Sequence, residues 1–378
     1  SWLAFRAELD DTLRVDNAFC ERIDASLAEQ YVHLSQHLEK DLLANHYLEN
    51  LKALAILACY FDDRETLELV LPMLKAQVDE QVLDDGMHFE QSPMYQKIVL
   101  EDLMRAAIVL RDSGFGEHAE AFKLRQMCDC LYSMERGINR TPLFNDCGDN
   151  VAKSRDALLL CARERFGVVP EFHGVLENSG YCILERQTKA GFVKVIFDAG
   201  KPGPAYAMGH VHCDALSFEC FVDGEPWIVN CGTYAYQDAK RLEFKKTHSH
   251  STVMVNGEEQ HECWAPFRVA RYSTGAVEDS AATIVRGALL QCGGKCKVVR
   301  EIVLEADGLR VVDRLVGDGC IESAFVFARD VPEVNGQMDE VAYAPEFGVY
   351  RDSCRIISQP ANSHEVYFTY PRYKKAVV

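Results

Sequence analysis

Four short segments of this 378-residue sequence carry side chains able to move protons or hold a metal. The first is Asn45-His46-Tyr47-Leu48-Glu49. His46 and Glu49 are three apart, so on a helix they share a face. Asn45 has the residue type of an N-cap, which is its plain structural alternative. The second is Glu90-Gln91-Ser92-Pro93-Met94-Tyr95-Gln96. Ser-Pro there fits a helix start, and Tyr95 supplies a phenol that either carries a proton or packs as a core aromatic. The third is Gly209-His210-Val211-His212-Cys213-Asp214-Ala215-Leu216-Ser217-Phe218. In an extended chain His210 and His212 project to one face, a spacing common among metal ligands and also common by accident. The fourth is His248-Ser249-His250-Ser251-Thr252-Val253. Two His-x-His pairs in one half of a chain point to a convergent histidine site.

The elements that must position these residues fall into two halves. From Ser1 to about Phe166 the period is helical. Leu48, Leu51, Leu54, Ala55 and Ala58 recur at spacings of three and four, as do Leu67, Val70, Leu71 and Leu74. Pro72 argues for a kink or a boundary in the second run. Ile98, Leu100, Leu103, Ala107 and Leu110 form a third helix that Ser113-Gly114 should stop. Residues 119–132 form a fourth. After about Gly174 the period becomes two, as in Val193, Val195 and Phe197. Asp223-Gly224, Asn256-Gly257 and Asp307-Gly308 lie between apolar runs and predict hairpins. The expected organisation is a helical domain over 1–170 and an antiparallel β domain over 171–378, with two packed sheets.

Composition narrows the function. Lys and Arg total 40 against 58 Asp and Glu, a net charge of −18. Nucleic-acid binders need the opposite balance, because phosphates are held by clustered cations. No apolar run reaches the roughly 20 residues that span a bilayer. The 15 cysteines are odd in number and irregular in spacing. The two close pairs, Cys128/Cys130 and Cys292/Cys296, are not CxxC, so free thiols in a reducing compartment are expected. No signal peptide opens Ser1-Trp2-Leu3-Ala4-Phe5, and a cytoplasmic location follows. The chain also lacks an initiator Met, so a periplasmic or secreted location stands as the alternative if a signal precedes it.

Taken in order, the segments resemble the heparinase II/III-like polysaccharide lyases. The matching residues are Asn45-His46-x-x-Glu49, Ser92-Pro93-x-Tyr95, Gly209-His210-x-His212-x-Asp214-Ala215-Leu216-Ser217-Phe218, Gly232-Thr233-Tyr234 and His250-x-Thr252-Val253-x-Val255-Asn256-Gly257. The third block is the specific one. The resemblance implies an α+β multidomain fold: an N-terminal α/α toroid of antiparallel helices, then a C-terminal antiparallel β-sandwich. The roughly 170 residues before the β half allow about six helices at ordinary lengths. A partial, N-terminally truncated toroid is therefore expected.

The implied chemistry is β-elimination at a hexuronic acid, leaving a 4,5-unsaturated uronate end. By resemblance Asn45 and His46 neutralise the substrate carboxylate, an oxyanion-type role. Tyr95 is the acid, and the base for one C5 epimer; His210 is the base for the other. Glu49 orients His46, and Arg241 and Tyr234 contact substrate. A structural zinc would be held at His212, Asn230 and His250. Asn230 stands where the family has Asp, and a neutral amide is a poorer ligand; Asp214 and Cys231 are nearby substitutes. No organic cofactor is implied. The expected partner is an anionic polysaccharide or oligosaccharide, with a homodimer as the assembly kept in view. Arg241, Lys245 and Lys246 form one basic group, and Arg268 and Arg271 another. The net acidity favours a less sulfated uronate polymer, capsule-, O-antigen- or alginate-like. Two other classes remain: a non-catalytic glycan-binding protein, and a glycoside hydrolase built on paired carboxylates, for which Asp84, Asp85 and Glu90 are the candidates.

Overall fold

The computed structural model describes residues 17–371 apart from 292, 295 and 333–335. The opening segment read for a signal, and Cys292, lie outside the described residues. Six helices precede the strands: α1 (Asn17–Gln36), α2 (Ala44–Tyr60), α3 (Arg64–Gln81), α4 (Pro93–Asp112), α5 (Leu124–Glu135) and α6 (Arg155–Phe166). Their apolar stripes are buried as the period requires: Leu48, Leu51, Leu54 and Ala55 on α2, and Leu67, Val70, Leu71 and Leu74 on α3. Pro72 sits inside α3 and does not end it. Residues 119–132 are not one helix. A 3₁₀ stretch, Gly116–Phe122, is broken from α5 by Lys123 in the left-handed region.

The strands are β1 (Val175–Leu176), β2 (Tyr181–Thr188), β3 (Gly191–Asp198), β4 (Phe218–Val222), β5 (Glu225–Val229), β6 (Val253–Val255), β7 (His261–Ala265), β8 (Arg268–Tyr272), β9 (Thr274–Ala281), β10 (Ile284–Leu290), β11 (Lys297–Leu304), β12 (Gly308–Val316), β13 (Ile321–Phe327), β14 (Gln337–Glu346), β15 (Val349–Ile357) and β16 (Ser363–Thr369). A short helix, α7 (Arg241–Phe244), interrupts them. Nine strands form one sheet, in the order β1-β2-β3-β4-β5-β13-β15-β14 with β6 also on β13. Five form a second, β16-β12-β11-β10-β9, and β7-β8 is a separate hairpin. Every pairing between these strands is antiparallel. Asp223-Gly224 and Asp307-Gly308 close the predicted β4–β5 and β11–β12 hairpins. Asn256-Gly257 turns the chain with positive φ at both residues, but only an isolated bridge, Val255 to Glu258, spans it, because β6 pairs with β13.

Residues of both large sheets share one core, including Val195, Phe197, Trp227 and Phe325 from the first and Val285, Val298, Ile302 and Phe368 from the second. On β11 the inward positions are Val298, Arg300, Ile302 and Leu304. Arg300 is a cation in an apolar layer and is satisfied there. It pairs with Asp313 at 2.7 and 2.8 Å and donates to the carbonyls of Leu216 and Ser251. A buried charge is tolerated only with such complete pairing. The two carbonyls end the His210–Ser217 and His248–Ser251 segments, so the core pair pins both histidine loops.

The change from helix to strand falls between Phe166 and Val175. The compact units do not follow it. One comprises residues up to Gln81 with Asp102–Phe122; the other comprises Val82–Glu101 with Lys123–Val378. The described cysteines are all free. No described helix is long and apolar enough to cross a membrane.

Candidate functional site

The second unit gathers four segments around one carboxylate. Ser92 begins α4 as expected, its Oγ accepting from the Tyr95 backbone N–H at 3.3 Å. The same hydroxyl donates to the Asp146 carbonyl at 2.6 Å. Asn145 adopts positive φ, donates its amide to the Gln91 carbonyl and accepts from the His212 backbone N–H at 3.0 Å. The Asp146 N–H donates to the His210 carbonyl at 3.1 Å. Residues 145–146 therefore lock the Ser92–Tyr95 turn to the His210–His212 loop.

This places Tyr95 and His210 together, with ring centroids 4.3 Å apart. They come from the helical and β halves of the sequence yet belong to one compact unit. Tyr95 Oη lies 2.9 Å from Tyr236 Oη. His210 Nδ1 is 2.8 Å from Asp146 Oδ2, and His212 Nε2 is 2.8 Å from Asp146 Oδ1. Thr233 Oγ1 donates to the same Oδ1 at 3.1 Å. The Arg241 guanidinium grips both oxygens. Burial alone would raise the Asp146 carboxyl; hydrogen bonds from His210, His212 and Arg241 outweigh it and hold the group well below the usual carboxylate range. Burial raises the Tyr95 phenol far above its ordinary value, so it keeps its proton at neutral pH.

Glu90 adds a further buried carboxyl. Its Oε2 is 3.8 Å from His88 Nδ1 and has no hydrogen-bond partner among the described residues. Burial pushes it up to about 7, with His210 acting against the rise and Asp146 adding to it. Asp85 is bonded to the backbone N–H and hydroxyl of Ser179, and the exposed Asp84 pairs with Lys123. Of these three candidates only Glu90 keeps a buried carboxyl oxygen without a hydrogen bond, whereas glycoside hydrolysis uses two carboxyl groups flanking one bond.

Several expected roles change. Arg241 is buried, with both terminal nitrogens on Asp146, so the structure gives it to the site's frame rather than to a ligand. Lys245 is likewise buried, donating to the carbonyls of Gly209 and Pro266. Tyr234 stacks on Tyr350 at 3.9 Å, and Tyr236 is the aromatic that meets Tyr95. In the first unit Asn45 is not the cap. Leu43 is, at φ 59, and α2 begins at Ala44. His46 is exposed and 3.7 Å from Glu39, while Glu49 bonds Lys52. Glu49 therefore does not orient His46.

The metal reading is also corrected. Asn230 donates its amide to Ser217 Oγ and accepts from the Ser251 N–H, both at 3.2 Å. Asp214 accepts from the Asn145 N–H. The converging donors are instead His212, Cys231 and His250, all buried, with ligand atoms within 4.8 Å of one another. His212 Nδ1 and His250 Nδ1 are buried without hydrogen bonds. Cys231 Sγ lies 3.7 Å from His250 Nε2, which also faces the Phe244 carbonyl at 3.1 Å. A buried thiol with two imidazoles fits a zinc-type ion, whose ligands are thiolate and neutral imidazole.

Asp146 and Tyr236 were missed by sequence reasoning. Asp146 lies in Leu143-Phe144-Asn145-Asp146, and an Asn-Asp pair after two large apolar residues is the signal the sequence offers. Tyr236 is two residues from the Tyr234 that was chosen.

Known proteins resemble this chain in sequence and in fold. Residues 172–372 match the family description "Heparinase II/III-like, C-terminal", and residues 14–165 match "Heparinase II/III N-terminus". A heparin-sulfate lyase of Pedobacter heparinus is 22% identical over 259 residues, covering 59% of this chain and 39% of that protein. A heparan sulfate lyase mutant structure from Pedobacter heparinus superposes with a TM-score of 0.70 at 14% identity, covering 94% of this chain and 64% of that one. A heparinase III structure gives 0.72 at 14%, covering 93% and 63%. The chain thus spans less than two thirds of the length of these relatives.

Proposed function

Because the chain belongs to the heparinase II/III-like family, we propose that it is the catalytic part of a polysaccharide lyase, acting on a uronate-containing polymer by β-elimination. The observation that carries this reading is the Tyr95–His210 pair, a phenol and an imidazole with ring centroids 4.3 Å apart and planes tilted by 40°, the imidazole bonded to a buried carboxylate. Elimination needs a base for the C5 proton and an acid for the leaving O4. A phenol kept protonated by burial suits the acid. His210 Nδ1 is bonded to Asp146, which leaves Nε2 to take the proton. For the opposite C5 epimer the resemblance gives Tyr95 the base role as well, which it takes only after losing its own proton, a state that its burial disfavours. Asn45 and His46 keep the carboxylate-neutralising role that the resemblance gives them, which matters most as negative charge develops. The helices form part of an α/α toroid and the two large sheets a β-sandwich, in line with the shared core. His212, Cys231 and His250 would hold a zinc ion. Such an ion supplies a structural crosslink between three loops.

The test is incubation with a panel of heparan sulfate, chondroitin sulfate, alginate and a bacterial capsular uronan. Cleavage should raise ultraviolet absorbance from the new double bond, and Tyr95→Phe should abolish the rise. Depolymerisation without absorbance would overturn the lyase assignment.

A further inference from the structure

We infer that Asp146 is a positioning residue that sets the tautomers of two histidines at once. It fixes N–H at Nδ1 of His210, leaving Nε2 as the basic nitrogen. It fixes N–H at Nε2 of His212, leaving Nδ1 as the lone pair offered to the His212/Cys231/His250 cluster. The catalytic consequence rests on the lyase reading; the tautomers rest on geometry alone.

Five donors converge on this carboxylate: His210 Nδ1, His212 Nε2, Thr233 Oγ1 and two nitrogens of Arg241. A carboxylate gripped by a guanidinium has only lone pairs to offer. Each imidazole nitrogen 2.8 Å from it must therefore carry the hydrogen. The opposite nitrogen of each ring is then fixed as an acceptor. For His212 that nitrogen is buried and bears no hydrogen bond. An unpaired buried polar atom costs about 1–3 kcal/mol, and a lone pair aimed at a metal is its usual justification when a carboxylate holds the ring's far side. Asp146 is itself held through its backbone, its N–H on the His210 carbonyl and its carbonyl under Ser92 Oγ, the group that caps the helix of Tyr95. One residue thus supports the base, the helix start of the acid and one ligand of the metal cluster.

Two measurements on the full chain decide it. Isotope-labelled histidine NMR of the wild type should show His210 protonated at Nδ1 and His212 at Nε2, with signals assigned by their loss in His210→Gln and His212→Gln. His210 protonated only at Nε2 would overturn the inference, whatever the activity. Asp146→Asn offers one acceptor and one donor and cannot satisfy both rings. It should lower kcat by about 10²–10⁴ while changing KM by less than about threefold. The loss should be larger on the epimer deprotonated by His210 than on the one served by Tyr95, a split that a merely structural role would not produce. Equal loss on both epimers, or wild-type kcat, would overturn it; a variant that does not fold leaves the decision to the wild-type tautomers. Absence of lyase activity with the stated tautomers would fault the functional reading and leave Asp146 in place.

Discussion

The Asp146 cluster and the first turn of α2 carry the two halves of the proposed chemistry, and they are built differently. Both Asp146 oxygens are buried and bonded, and the proton carriers His210 and Tyr95 are bonded to residues 64 and 141 positions away in sequence. At α2 His46 is exposed and near Glu39, and Glu49 is bonded to Lys52. One region is cross-linked by buried hydrogen bonds between distant segments. At the other the His46 and Glu49 side chains make local surface pairings that a ligand can exchange for its own. Proton transfer needs fixed geometry, whereas contact with a carboxylate tolerates groups that close on it.

Breaking the rigid region should have the largest effect. Tyr95→Phe and His210→Ala should each lower kcat by about 10²–10⁴. Tyr95→Phe removes one hydrogen bond, to Tyr236, so its stability cost should stay near about 1 kcal/mol. Activity and denaturation curves check both statements. In the other region Asn45→Ala should lower kcat by about ten- to a hundredfold, with little change in KM. Its stability should stay within about 0.5 kcal/mol of wild type, because Asn45 does not cap the helix. Glu49→Gln sharpens the comparison. Its kcat should stay within about threefold of wild type, since Glu49 serves Lys52; a loss equal to that of His46→Ala would return Glu49 to the orienting role.

The metal cluster shows how the sequence could mislead by one residue. Asn230 was read as the third ligand by position, yet its amide is used by Ser217 and Ser251. Cys231 is the neighbour that converges with the histidines. Adding a chelator should lower the melting temperature more than it slows turnover in the cold. Cobalt substitution should give a thiolate charge-transfer band that Cys231→Ser removes. Asn230→Asp should not raise metal affinity, and it should destabilise the fold by replacing an amide donor with a carboxylate beside Glu219 Oε1, which already accepts from the Asn230 N–H.

Glu90 affects stability alone, and only in one range of pH. Burial pushes its folded pKa up to about 7, so the folded chain holds a proton that the unfolded chain releases near 4.5. That stabilisation is complete below about 4.5 and is lost as pH rises to about 7. Glu90→Gln should flatten this part of the stability profile and be the more stable protein above pH 7, by up to about 3 kcal/mol. Denaturation midpoints across pH measure it.

What was legible in the sequence follows from what is local. The helical stripe of Leu48 to Ala58, the hairpin turns with positive φ at Asp223-Gly224, and the Ser92-Pro93 helix start are decided by neighbouring residues. The His210–His212 block was found because its types and spacing are unusual. Asp146 and Tyr236 were not legible, because they act across 64 and 141 positions and no periodicity links them to His210 or Tyr95. The cap at Leu43 was hidden for another reason. A non-glycine residue at φ 59 is costly alone and persists only because the surroundings hold it there.

The claim that proton transfer rather than water attack breaks the chain is tested most directly by cleavage in heavy-oxygen water. The account predicts an unsaturated uronate at one new end and, read before the new anomeric hydroxyl exchanges with solvent, no heavy oxygen in either product, with both products absent from Tyr95→Phe. Heavy oxygen at the new sugar end, with no double bond, would contradict it.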